Sequence, residues 1–208
     1  MCQRESNTPN PGRVGVRHAS LPPRRMRRVK YVIAVALLCA SCGALAQRRP
    51  AQVSLEYAVK ATYLYKLAPF VSWPPTTFTA PDAPFEICIV GDDPFDDYLE
   101  KAIAGQGLGS HPFAVRRMDK LESGADCQVA FIGHLTTQSL GDALAAVDGE
   151  PVLTVTDSDI AGDNGSVMQF VIERGRVHFD INTTAAARNH LAISSKLLNL
   201  ALAVKDER

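Results

Sequence analysis

The chain has 208 residues, 46% of them hydrophobic, and its 22 Lys and Arg are balanced by 22 Asp and Glu. That neutrality is the sum of two unlike parts: eight basic residues but one acidic residue, Glu5, lie in residues 1–46, so the rest carries 14 basic and 21 acidic side chains, a net charge of −7. An acidic remainder of this size excludes a coat for nucleic acid or for anionic membrane, and its length suits one domain with one core over residues 47–208.

Arg24, Arg25, Arg27, Arg28 and Lys30 precede an apolar run from Tyr31 to Ala40, and Ala44-Leu45-Ala46 follows. A basic lead, a short apolar stretch and small residues before a break form the pattern of a secretory signal, expected to be cleaved after Ala46. The run is shorter than the roughly 20 apolar residues that a bilayer span needs. Residues 1–25 are polar and lack apolar periodicity, so Met26, just ahead of the basic lead, is the better start for such a signal. Lipidation at Cys39 or Cys42 is the competing reading: small residues precede Cys42, but no Leu stands three positions before it.

Beyond the signal, Ser54–Phe70 carries apolar residues at helical spacing, with Ser54 as the expected N-cap and Trp73-Pro74-Pro75 as the exit. The pattern then changes to short apolar runs. Strands are predicted at Phe85–Val90, Phe113–Met118, Val129–Gly133 and Pro151–Thr156, with helices ending near Ile103 and spanning Thr136–Val147. Such alternation predicts an α/β fold with a mostly parallel sheet flanked by helices. Val167–Ile172 and Arg176–Ile181, joined by Glu173-Arg174-Gly175, read as a C-terminal β-hairpin. A closing helix is predicted from about Thr184 to Val204, burying Leu191, Ile193, Leu197, Leu198, Leu200 and Ala201.

Only Cys88 and Cys127 lie beyond residue 46. In an oxidising compartment they form one obvious pair, while two buried free thiols are the alternative, since cysteine is also a good core residue. No His stands near either in ligand spacing, which argues against a metal site.

No catalytic constellation emerges. His111, His134, His178 and His190 are scattered. Asp92, Asp93, Asp96 and Asp97 follow the first strand, where ligands of α/β sheets bind, but acidic residues also simply stabilise a helix N-terminus. Gly105-Gln106-Gly107-Leu108-Gly109-Ser110 follows a helix rather than a strand and lacks the closing Lys-Ser/Thr of a phosphate loop, so it reads as a flexible turn. Ser194-Ser195-Lys196 lacks the Ser-x-x-Lys spacing for Ser194. The expectation is a protein that is not an enzyme and uses no cofactor and no metal. Loops near Asp92 and Asp157 remain as the place for a small ligand.

Lys60-Ala61-Thr62-Tyr63-Leu64-Tyr65-Lys66-Leu67-Ala68-Pro69-Phe70-Val71-Ser72-Trp73-Pro74 resembles the opening of the YfiR-like family of periplasmic proteins. Four further matches follow in order: Ile87–Asp92 with Pro94-Phe95, Cys127 ahead of Ala130-Phe131-Ile132, Pro151–Val155, and Val177–Asn182 with Ile193–Leu198. The resemblance implies a small α/β protein that acts by binding: it restrains an inner-membrane diguanylate cyclase, lowers cyclic di-GMP, and is sequestered by an outer-membrane, peptidoglycan-associated lipoprotein. It also implies a Cys88–Cys127 disulfide and leaves room for a homodimer. Lys66 and Pro69 depart from the family pattern and alter the local surface. Aromatics and Arg carry a large share of interface energy. The expected partner-binding residues are therefore Tyr63, Trp73, Glu173, Arg176 and His178. Tyr63 and Trp73 also suit a purely structural role closing the core.

Overall fold

The computed structural model describes residues 50–157 and 165–206. The expected signal, the Met26 start, Cys39 and Cys42 lie outside the described residues.

Helix α1 (Pro50–Lys66) opens on proline, whose fixed φ suits a first helical turn and whose missing N–H costs nothing there. Ser54, expected as the N-cap, therefore stands inside the helix. Lys60, Ala61 and Leu64 face inward, while Leu55 and Val59 face out. The helix stops before Phe70 because Pro69 has no N–H to donate to Tyr65; Ala68–Phe70 forms a single tighter turn. The chain then enters β1 (Val71–Ser72).

Strand β2 (Phe85–Val90) leads through α2 (Tyr98–Ile103) to β3 (Gly107–Leu108) and β4 (His111–Met118). Of Gly105–Ser110, expected as a flexible turn, Gly107-Leu108 forms β3 and Gly109-Ser110 makes the turn into β4, a short hairpin with Leu108 opposite His111. Strand β5 (Val129–Ile132) is followed by α3 (Leu140–Ala146). That helix starts four residues later than predicted because Ser139 caps it, its hydroxyl accepting from the Asp142 N–H at 3.1 Å. Strand β6 (Leu153–Asp157) precedes the hairpin of β7 (Met168–Glu173) and β8 (Arg176–Asn182). Its turn residues Arg174 and Gly175 have φ of 50° and 73°, the two left-handed positions that a two-residue hairpin loop requires.

The predicted closing helix is not one helix. It resolves into α4 (Thr183–Arg188), β9 (Ala192–Ile193), α5 (Ser195–Leu198) and β10 (Ala203–Lys205). Local polar side chains explain the breaks. Asn182 Oδ1 caps α4 by accepting from the Ala185 N–H, and Ser194 Oγ caps α5 by accepting from the Leu197 N–H. Between them His190 takes a left-handed φ of 55°. Leu191 and Leu197 are buried as expected, but Leu200 is exposed on the surface.

Eight strands form one sheet in the order β10-β8-β7-β6-β5-β2-β4-β3, and β1 pairs with β9 in a second, two-stranded sheet. The large sheet is mixed. Its central strands β7, β6, β5, β2 and β4 run parallel, whereas the β7–β8 and β3–β4 pairings are antiparallel, so the expected mostly parallel sheet describes the centre and not the whole. One face (Phe85, Ile87, Ile89, Phe131, Val155, Phe170 and Phe179) is covered by α1 and α2. On the other, α3 lays Ala143 and Val147 over Cys88, Val90, Ala130 and Ile132.

Candidate functional site

The carboxyl ends of β2 and β5 lie where the strand order reverses, the usual ligand crevice of such sheets. Here backbone fills it. A Cβ on Gly133 would stand 2.2 Å from the Asp92 carbonyl oxygen, and one on Gly91 would stand 2.5 Å from that of His134. In the acidic cluster beside it, two of the four aspartates, Asp93 and Asp97, are paired with cations of the chain. Arg117 Nε donates to Asp93 at 2.6 Å, its Nη1 donates to Glu100 at 2.5 Å, and Lys101 pairs with Asp97.

Arg117 is held above its ordinary pKa by hydrogen bonds to Glu100 and then Asp93. The same contact holds the Glu100 carboxyl below the usual range, against the opposing effect of its partial burial. A depressed folded-state pKa means stability that is present above the unfolded value, about 4.3, and lost as pH falls through the folded one. Because the Glu100 side chain is 44% exposed, solvent screens most of that gain. Glu100→Gln should therefore cost roughly 0.5 kcal/mol at neutral pH, and urea midpoints of variant and parent should converge as the pH falls below the carboxylate range.

Asp157, at the end of β6, is not free for a ligand either. Its carboxylate accepts from Lys60 Nζ of α1, and Tyr57 Oη lies 3.4 Å from Asp157 Oδ2. Lys60 has no exposed side-chain surface, Asp157 has 1% and Glu56, the second carboxylate on Lys60, has 15%. Tyr57 also presents its ring 4.6 Å from the Lys60 ammonium. Sequence reading missed this cluster because a lysine on a helix ordinarily lies on the solvent side; the signal was that Lys60 shares a face with Ala61 and Leu64.

The two cysteines form a disulfide, with Cα atoms 5.9 Å apart. Both are buried. Arg116 Nη2 lies 3.7 Å from Cys88 Sγ and 3.6 Å from Cys127 Sγ, and donates to the Ala125 carbonyl.

The five expected partner residues do not form one patch. Tyr63 is half-buried on the α1 face, 6.2 Å from the Phe170 ring and 5.9 Å from that of Phe179. Trp73 packs edge-on against Phe85 at the start of β2, with ring centroids 5.1 Å apart, at the end of the sheet away from the hairpin turn. Glu173, Arg176 and His178 do sit together on the β7–β8 hairpin, where Glu173 faces Arg176 and Val171 faces His178. His178 alternates with Phe179 and so faces away from α1. β7 pairs with β6 only through Phe170, and β8 pairs with β10 only from Asp180 onward. The outer half of the hairpin therefore has no sheet neighbour on either side among the described residues.

Among those residues no group of three or more His, Cys, Asp or Glu is placed to hold a metal, and no helix is long and apolar enough to cross a membrane. The fold is thus an α/β domain in which Asp93, Asp97 and Asp157 are engaged with cations of the chain, and in which the outer half of the β7–β8 hairpin has no sheet neighbour among the described residues. Residues 57–202 match the model of a family described as YfiR/HmsC-like. The chain belongs to that YfiR/HmsC-like family.

Proposed function

We propose that this protein is a non-enzymatic regulator, exported to the periplasm, that binds and restrains an inner-membrane diguanylate cyclase and so lowers cyclic di-GMP. The family match over nearly the whole described domain carries the reading. The β7–β8 hairpin supports it, because its outer half has no sheet neighbour among the described residues, and a two-stranded ribbon can offer backbone donors and acceptors to a partner segment. Glu173, Arg176 and His178 decorate that ribbon and would set its specificity. Tyr63 and Trp73, packed against Phe170 and Phe85, would contribute from the sheet face under α1 rather than from the hairpin. An outer-membrane, peptidoglycan-associated lipoprotein would compete for the regulator and release the cyclase.

Cellular cyclic di-GMP tests the proposal. Deletion should raise it several-fold, and the complete chain should restore it, whereas a chain lacking residues 26–46 should not. Arg176→Glu, on an exposed strand position, should leave the protein folded and weaken repression. An unchanged cyclic di-GMP level on deletion would remove the cyclase from the proposal.

A further inference from the structure

The sheet face away from α1 changes character along its width. Under α3 it is apolar, but over β6, β7 and β8 it presents Thr154, Thr156, Gln169, His178, Asp180 and Asn182, and the first three and the last of these are buried. Within the chain Thr156 Oγ1 bonds Ser166 Oγ at 2.8 Å and Asn182 caps α4, so the stripe is satisfied internally. Beside this stripe, between the end of α3 and α4, lies a cleft of about 350 Å³. That volume lies within the range of small-molecule sites.

Thr154 and Val167 line the cleft together with Leu144, Ala145 and Ala185. Thr154 Oγ1 accepts from the Val167 N–H at 3.0 Å, which leaves its hydroxyl proton to donate. Two opposite charges, Asp148 and Arg188, line the cleft as well, with Arg188 Nε 3.5 Å from Asp148 Oδ1 and both side chains more than half exposed. A single long contact between exposed groups is worth little, so separating the pair costs little.

We propose that this cleft binds a small zwitterion, a free α-amino acid with a short aliphatic side chain. The ligand carboxylate replaces Asp148 on the Arg188 guanidinium, the ligand ammonium replaces Arg188 on Asp148, and the side chain lies against Leu144, Ala145 and Ala185. The exchange conserves charge pairing at both ends, and a ligand with only one charge leaves one of the two groups unpaired. The site is separate from the β2–β5 crevice that backbone closes, and it stands or falls independently of the cyclase reading.

Thermal unfolding of the protein produced from the full chain, with L-alanine, L-valine or L-leucine, tests it. At about 10 mM ligand the melting temperature should rise by about 5 °C for the best of the three. Isobutyrate and isobutylamine, which each lack one charge of valine, should leave it unmoved. Arg188→Gln and Asp148→Asn should each weaken binding about tenfold or more, the loss of one charge-assisted contact. Ala145→Leu, at an exposed helix position, should fill the cleft and abolish the shift while the unliganded melting temperature stays near that of the parent. The inference is overturned if no amino acid shifts the transition, if isobutyrate matches valine, or if Ala145→Leu and Arg188→Gln both bind like the parent.

Discussion

Lys60→Met is expected to destabilise the protein by about 3–5 kcal/mol, the cost of removing one partner from a buried ion pair. Methionine keeps the length and apolar stem of lysine, so the change removes the charge with little loss of volume. It leaves the Asp157 carboxylate, 1% exposed, without its cation, and deprives Glu56 of the same partner. For a domain of this size the loss corresponds to a fall in melting temperature of roughly 10 °C. The pair anchors α1 to the end of β6, and α1 covers the apolar face of the sheet, so the effect reaches the global unfolding transition rather than a local one. The double variant Lys60→Met, Asp157→Leu should recover most of the loss, because a buried pair exchanged for apolar groups of similar size is often neutral. Urea unfolding of the three proteins decides it. A single variant within about 1 kcal/mol of the parent, or a double variant no better than the single, would show that the pair does not bear on stability.

Sequence alone located the strands of the central sheet to within two residues, because continuous apolar runs such as Val129–Ile132 are buried on both faces. The hairpin was equally legible, since Arg174-Gly175 supplies its two left-handed turn positions. The region after Thr183 was not. Leu191, Leu197 and Leu198 fall at helical spacing, but Asn182, His190 and Ser194 impose caps and a turn that cut the segment into short pieces. Propensity summed over a window is a weak prior against such local side-chain bonds. The candidate site shows the same division. Cys88 and Cys127 stand at the edges of apolar runs and were legible as a pair; the Lys60–Asp157 pair spans 97 residues and depends on the path of α1 across the sheet. Likewise, nothing in the sequence near Asp148 points to Arg188, which meets it only because α4 turns back beside α3.

Removal of the disulfide should cost about 4 kcal/mol, the chain-entropy value for a closed loop of this length. The bond spans 39 residues, closing a loop that contains α2, β3 and β4. It joins β2 to the residues just before β5, strands that are already parallel neighbours with Cys88 opposite Ala130. In the unfolded chain the same link forbids much of the conformational space that those residues would otherwise explore. Cys88→Ala with Cys127→Ala is the appropriate variant, since serine would bury two hydroxyls in the apolar layer under α3. Its urea midpoint should fall well below that of the oxidised parent, and the parent unfolded and reduced in dithiothreitol should refold to a state of similar low stability. Reduction of the folded parent should be slow. Thiolate attack needs access to a sulfur, both cysteines are buried, and the Arg116 guanidinium lies within 4 Å of each sulfur. In the protein beginning at Gln47, which lacks Cys2, Cys39 and Cys42, free-thiol titration should therefore find no reactive cysteine in the native state and two after unfolding in reductant. A variant as stable as the parent, or two thiols that react at once in the native state, would mean that the bond contributes nothing to the fold.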